Sequence, residues 1–471
     1  MGTVTGTAPD LEAAAARIVD ALARAAVRHR RGATWAEPVL GPAPATVYRT
    51  GDATLYQGSA GVGWALADAA RTLPASGGAG ALAHDAIGDA LARVPEVAAR
   101  GLYTGRAGIG LAACKVGDAL GDARTVAAGV EVLLDACSAP PCRAWDVIGG
   151  ESGMLAACVA AFRLTQDERL VTAARRLADR LVRRSCETHG GRAWAQPDED
   201  WLPLCGLAHG ASGAAWALAE LAAIGPARDL PARVQEALRY EAAWFDQRRN
   251  AWPDLRAVPA ELARRPSTAG PHPTLWCHGS AGIGLARLRI HHLTGDWTAA
   301  AEAAVALQAT CASSVAALRA GAPGHGLTLC HGHGGAAELF LFAHETLGEP
   351  EHLDAARFIV RHAIAQGGDD VERWPVGVAA ETSYGLMTGL AGALCVTLRA
   401  AWPGRLAPVG LPGVGLERRR DTFPEDARAD SNSLRDSWPG ARDSARAPVH
   451  LRGRSDQEVE RGRRTQLESD I

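Results

Sequence analysis

Lysine is almost missing from this chain: Lys115 is the only one in 471 residues, so arginine carries nearly all of the positive charge. We read that bias, with the abundance of alanine and glycine, as GC-rich bacterial coding rather than chemistry. The formal net charge of -3 lacks the basic excess that nucleic acid or an anionic lipid surface requires, and no nucleic-acid partner is expected. No apolar run approaches the ~20 residues needed to cross a bilayer, so no membrane insertion is expected. The opening MGTVTGTAPD has no basic start followed by an apolar core, which leads us to expect a cytoplasmic chain. Cys-x-x-Cys is absent as well. Ten cysteines without a secretion signal favour reduced thiols or metal ligands over a disulfide framework. Most, including Cys114, Cys158 and Cys395, lie in Ala/Leu-rich helical stretches and read as ordinary buried residues.

What is present is a repeat. Gly-x-x-Gly followed by an apolar run recurs at Gly58/Gly61, Gly105/Gly108, Gly150/Gly153 and Gly210/Gly213, then at Gly279/Gly282, Gly332/Gly335 and Gly389/Gly392. A repeated unit of this kind fixes an architecture before any local assignment is made. A second kind of helix precedes the copies, with apolar residues at i, i+3, i+4 and i+7 and one charged face, as in Leu11 to Arg30, Arg124 to Cys137, Arg169 to Cys186, Ala232 to Arg249 and His352 to Ala365. The helices after the glycines are apolar almost all round, as enclosed helices should be. Seven outer and seven inner helices, with little β alternation, describe an all-α fold, an α/α toroid spanning residues 1–412. GSAGVG and GRAGIG superficially suggest a phosphate-binding loop, but such a loop follows a strand, and seven copies are better explained as packing.

The composition changes near Gly415: from there to Ile471 the chain is dense in Arg, Asp, Glu and Ser, and 413–471 is expected to be a disordered tail. The proline-bearing stretch from Trp252 to Pro273 reads as a loop over the toroid's cavity mouth.

Two of the seven turns carry Cys-His-Gly, at Cys277-His278-Gly279 and Cys330-His331-Gly332. Equivalent turns of neighbouring repeats are close in a closed ring, so Cys277 and Cys330 can approach one metal ion. Zinc prefers thiolate and imidazole, and three protein ligands leave a fourth position open for chemistry. His278 fits a place in the site or the role of a group orienting a ligand. Two other turns bring polar groups to corresponding places. His209 precedes Gly210 and reads as a functional or a hydrogen-bonded packing histidine; Asp146 precedes Gly150 and reads as a histidine or substrate partner or as a helix N-cap. His325 and His333 flank the second Cys-His-Gly and read as spare ligands or acids.

Taken together and in this order, WDVIGGESG, LAHGASG, WCHGSAGIG, LCHGHGG and YGLMTGLAG resemble the lanthionine synthetase C-like cyclases over roughly residues 10 to 405. The Trp-Cys-His-Gly version is similar to that of the two-domain, dehydratase-cyclase branch. The resemblance implies an α/α toroid, one zinc ion held by Cys277, Cys330 and His331, and catalytic roles for His209 and Asp146. It implies a dehydrated precursor peptide as partner and addition of its cysteine thiolates to dehydroalanine or dehydrobutyrine; either a separate dehydratase prepares that peptide or the chain is a detached relative of the two-domain enzymes. Some members have an arginine a few residues before the first zinc cysteine; here His272-Pro273-Thr274-Leu275-Trp276 stands there, leaving that role to His272 or another group.

Two rival readings are carried forward. The same metal site can hold glutathione or a protein thiol without turnover. A carbohydrate-active toroid would instead need paired acids in the funnel, for which the turns offer Asp146 and Glu151.

Overall fold

The structure, a computed structural model, describes residues 8–39, 47–73, 77–197, 199, 201–226, 229–258, 270–320, 326–376 and 382–413. The expected tail from 414 onward, His325 and half of the expected loop over the mouth lie outside the described residues.

Seven helices follow the glycine turns: α2 (Ser59–Thr72), α4 (Arg106–Leu120), α6 (Glu151–Thr165), α8 (Ala211–Ala222), α10 (Ser280–Thr294), α12 (His333–Leu347) and α14 (Leu390–Ala401). Each packs on the next in sequence and α14 packs on α2, which closes an inner ring. Around it lie α1 (Ala8–Ala25), α3 (Ala79–Ala92), α5 (Ala123–Ser138), α7 (Glu168–Arg184), α9 (Leu230–Ala243), α11 (Trp297–Arg319) and α13 (Pro350–Gly367). The fold is an all-α toroid. Every outer helix from α3 onward packs most extensively on the inner helix before it, and α1 packs on α14, so the two ends of the fold complete the ring together.

The layers follow from the side chains. Along α14 every residue is buried. On α7 only Leu170, Val171, Ala173, Ala174, Leu177, Ala178 and Leu181 are buried, a single stripe, with arginine and aspartate on the other face. Outer helices α5, α7 and α11 are capped by Asp122, Asp167 and Asp296, whose carboxylates accept from first-turn amides. The inner helices have glycine at the N-cap and no side-chain cap; instead their own loops supply the acceptors. The amides of Ser59, Arg106, Ser152, Ala211, Ser280, His333 and Leu390 each donate to the carbonyl seven residues back. That curl is why the second glycine of each pair is needed. A Cβ on Gly61, Gly108, Gly153, Gly213, Gly282, Gly335 or Gly392 would lie 1.7–2.4 Å from the carbonyl oxygen six residues before it. It would also press on the equivalent apolar residue of the preceding repeat, Leu55 for Gly108 and, across the closure, Leu386 for Gly61.

Three outer helices end earlier than the sequence suggests. After α1 and α7 the chain turns back in small hairpins, β1 (Val27–His29) with β2 (Gly32–Thr34) and, later, β5 (Cys186–Thr188) with β6 (Gly191–Ala193); between them in sequence comes β3 (Ala36–Val39) with β4 (Val47–Thr50). α9 stops at Ala243, not Arg249. The tryptophans that follow explain the breaks: Trp35, Trp194 and Trp252 donate their indole N–H to the carbonyls of Leu22, Leu181 and Glu241, which satisfies acceptors near the helix ends. The expectation of no span-length apolar helix needs correction too. α11 has 23 residues with a mean hydropathy of 1.3 in its best window, long and apolar enough by those measures alone. It lies in the outer layer, with Ala299, Ala303, Ala306 and Leu307 turned into the core.

Residues 405–413 run back into the inner ring. Tyr103 Oη and Trp276 Nε1 donate to the carbonyls of Val409 and Gly410 at 2.8 and 3.2 Å, and Arg399 Nε donates to that of Leu406. This segment fills the axis behind the glycine turns.

Candidate metal centre

The seven turns meet at one end of the inner ring and most are joined by backbone hydrogen bonds. Tyr56 N donates to Tyr103 O, Tyr103 N to Ile148 O, Val147 N to Ala208 O, Cys277 N to Cys330 O, Cys330 N to Met387 O and Met387 N to Tyr56 O. Positions 54 residues apart in sequence thereby become neighbours: Cys277 Sγ lies 3.5 Å from His331 Nδ1 and 3.3 Å from the Cys330 carbonyl oxygen. The possible ligand atoms of Cys277, Cys330 and His331 all lie within 4.8 Å of one another. A tetrahedral zinc ion at ~2.0–2.3 Å from each donor spaces its ligands by roughly 3.3–3.8 Å, so this donor set fits the ion in chemistry and nearly in spacing. Both cysteines are buried and His331 is half-buried, so the donor set is reached from the His331 side. The hydrogen bond with Cys330, then burial and the proximity of Cys330, push the Cys277 thiol well up, with His331 acting the other way. Metal coordination supplies what such a thiol lacks, a stable thiolate.

Gly279, which follows His278, has a φ of +102°, a left-handed value not shared by the other six N-cap glycines of the inner helices. A Cβ there would lie 1.8 Å from the Pro273 carbonyl oxygen, so glycine is required to turn the Cys277-His278 loop.

The second part of the site comes from turns three and four. His209 Nδ1 and Asp146 Oδ2 are 2.6 Å apart, with the His209 side chain 29% exposed. The other oxygen of Asp146 accepts from Gly149 N at 2.8 Å. Asp146 is therefore a loop and histidine partner; the helix N-cap of α6 is Gly150. His278 lies outside the metal cluster among the described residues. Its ring stacks on His209 at 5.3 Å between centroids, and burial, then His209, Arg256 and His331, hold it well below the usual histidine range.

Other sequence candidates sit elsewhere. His272 packs against Asp246, Arg249 and Gly270 at the end of the α9 corner. Glu151 is buried and accepts from Cys142 N and Arg180, so it forms no acid pair with Asp146. His333 is the first residue of α12, and its amide closes the loop onto Gly326. Sequence reasoning missed Arg256, which is held by Asp254 at 2.8 Å and acts electrostatically on His278. It also missed Arg287 and Glu241, an ion pair with both side chains 0% exposed. The signal for the latter was present: Arg287 interrupts a stretch of α10, Ala281 to Leu288, that is otherwise apolar.

The model of the lanthionine synthetase C-like protein family matches residues 50–411. The chain belongs to that family. Among solved structures it is similar to a nisin cyclase, with 18% identity, a TM-score of 0.54, and coverage of 75% of this chain and 89% of that one, which shows a shared fold. A GH76A α-1,6-mannanase from Salegentibacter sp. HEL1_6 matches with 12% identity over 83% of this chain and 98% of that one, at a TM-score of 0.43 too low to bear on function. No curated protein matches the chain.

Proposed function

We propose that this member of the family is a zinc-dependent peptide cyclase that adds cysteine thiolates to dehydroalanine or dehydrobutyrine, forming lanthionine and methyllanthionine rings. The observation that carries the reading is the meeting, in one ring of turns, of the Cys277/Cys330/His331 donor set with the Asp146-His209 pair, linked by the His209-His278 stack. Cys277, Cys330 and His331 would hold the zinc ion, which when bound would supply stabilisation of a peptide thiolate at neutral pH.

The chain's own groups then govern protons. In the addition one sulfur-carbon bond forms at the β-carbon, the carbon-carbon π bond is lost, and the α-carbon takes a proton; nothing is oxidised or reduced. His209, with Nδ1 turned to Asp146 and its side chain 29% exposed, keeps Nε2 as its second proton-handling atom. In this reading Nε2 takes the thiol proton and delivers one to the α-carbon. Asp146, with both oxygens engaged, orients the ring instead of moving a proton itself. Buried and neutral, His278 gives the His209 ring a flat wall to stack on.

Cyclisation leaves the peptide mass unchanged, so the test follows loss of alkylatable thiol from a dehydrated peptide. The native chain should hold one zinc ion and consume thiol; Cys330→Ala should lose both. Thiol that persists with zinc-loaded protein and a cognate dehydrated peptide would sink the proposal. Stable glutathione binding under those conditions would favour the thiol-holding reading.

A further inference from the structure

The ring of turns has one junction unlike the rest. Backbone hydrogen bonds join turn one to two, two to three, three to four, five to six, six to seven and seven to one; among the described residues no such bond joins turn four to turn five. That is the junction at which His209 stacks on His278. The two turns still abut. Gly206 opens turn four with a φ of +114°, and a Cβ there would meet the Cys277 carbonyl oxygen at 3.3 Å and His278 Cα at 3.6 Å.

A buried charge cluster stands at this junction. Glu241, on α9, places Oε1 2.8 Å from Gly206 N and 2.9 Å from Ser212 N, so a single carboxylate oxygen grips the turn on both sides of His209. Its other oxygen accepts from Ser212 Oγ and pairs with Arg287 Nη2 at 2.9 Å. Arg287 belongs to α10, the helix that begins just after Cys277 and His278; it also donates to Ser212 Oγ at 3.0 Å and pairs with Glu302 on α11. Four helices thus share one buried network, and it connects the turn that carries His209 to the helix that follows the first metal cysteine.

We propose that Glu241 and Arg287 are positioning residues that set the distance between the proton-handling half of the site, Asp146 and His209, and the metal-holding half at Cys277. Burying two charges contributes little net stability compared with apolar packing. What the pair supplies is a fixed register at the one junction without a backbone bond. The inference rests on the cyclase reading for its kinetic consequence, but the tether can be read without it.

The same two inner helices supply a control. At the far end of the toroid Glu220 of α8 pairs with Arg289 of α10 at 2.7 Å, again buried, well away from the turns. Three variants are compared with the native protein: Glu241→Ala, the double variant Glu241→Gln with Arg287→Met, and Glu220→Gln. The double variant is uncharged yet keeps an amide oxygen for Gly206 and Ser212. Zinc per chain, kcat and KM for thiol consumption, and hydrogen exchange at the Gly206 and Ser212 amides are measured.

Glu241→Ala should keep its zinc and its KM, lose roughly a hundredfold in kcat through misplacement of His209, and exchange both amides faster. The double variant should recover most of the kcat and of the amide protection, and it carries the test if Glu241→Ala fails to fold. Glu220→Gln should melt earlier with kcat unchanged. The proposal is overturned if kcat falls only in proportion to zinc, if Glu220→Gln lowers kcat as much as Glu241→Ala, or if the double variant recovers nothing. Should the native protein consume no thiol, the cyclase reading fails separately. Amide exchange then decides the tether alone: faster exchange at Gly206 and Ser212 in Glu241→Ala supports it, and unchanged exchange overturns it.

Discussion

Replacing Asp146 by asparagine isolates one charge at the heart of the site. Asp146 Oδ1 accepts from Gly149 N at 2.8 Å, so the new amide must keep its oxygen there; a flip would set one donor against another. The asparagine Nδ2 then faces His209 Nδ1, at a place where 2.6 Å now separates that nitrogen from a carboxylate. A donor opposite Nδ1 forces the neutral ring to carry its proton on Nε2, the nitrogen assigned to proton transfer. The base is lost, and the imidazolium form loses a charge-assisted hydrogen bond worth about 1.5–3 kcal/mol. That alone slows proton transfer by about 10- to 150-fold. With the wrong tautomer added, the expected loss in kcat is about 10²–10⁴-fold. The assay is alkylatable thiol remaining in a dehydrated peptide over time, with zinc measured on the same preparation. The substitution leaves the donor set of Cys277, Cys330 and His331 in place, so zinc content should hold. A kcat near that of the native protein at full zinc content would refute the reasoning, as would a loss that tracks metal loss.

Two further predictions concern the scaffold. In Gly153→Ala the added Cβ would lie 2.1 Å from the Val147 carbonyl oxygen and 2.7 Å from Leu102 Cβ, so backbone must move; a loss of about 3 kcal/mol or more is expected, read as a lower urea midpoint, and an unchanged midpoint would refute the packing argument. His352 is buried on α13, and burial depresses its pKa from 6.5 to about 4. Its neutral form contributes stability that is complete above the unfolded-state value near 6.5 and is lost as pH falls toward about 4. A shift of that size corresponds to about 3 kcal/mol. Native protein should therefore lose stability over that pH window more steeply than His352→Leu, and parallel pH profiles of the two proteins would contradict the assignment.

The glycine turns were legible because their cause is local. An amide bonded seven residues back and a carbonyl six residues back leave no space for a Cβ, wherever the loop sits in the ring. Repetition then made Cys277 and Cys330 neighbours in principle, and the Cys-His-Gly pair pointed to one donor set before any coordinates. The hairpins after α1 and α7 were less visible, since three-residue strands carry too little alternation to interrupt a helical pattern. Their glycine and tryptophan, in RGATW and GRAW, were the signal that went unused.

By itself, the sequence determined the class of fold, the number of turns and the residue types available for metal and proton chemistry, because these follow from short-range sterics and from composition. Only the tertiary structure decided how those residues face each other. It set His278 against His209, turned Asp146 toward that same ring, separated Glu151 from Asp146 by giving it Arg180, and placed Glu241 under the His209 turn. The closure of α14 on α1 and α2, and the return of residues 405–413 to Tyr103 and Trp276, likewise join segments hundreds of residues apart. Such pairings depend on the ring being closed, and closure is a property of all seven repeats packed together, which no single stretch of the chain contains.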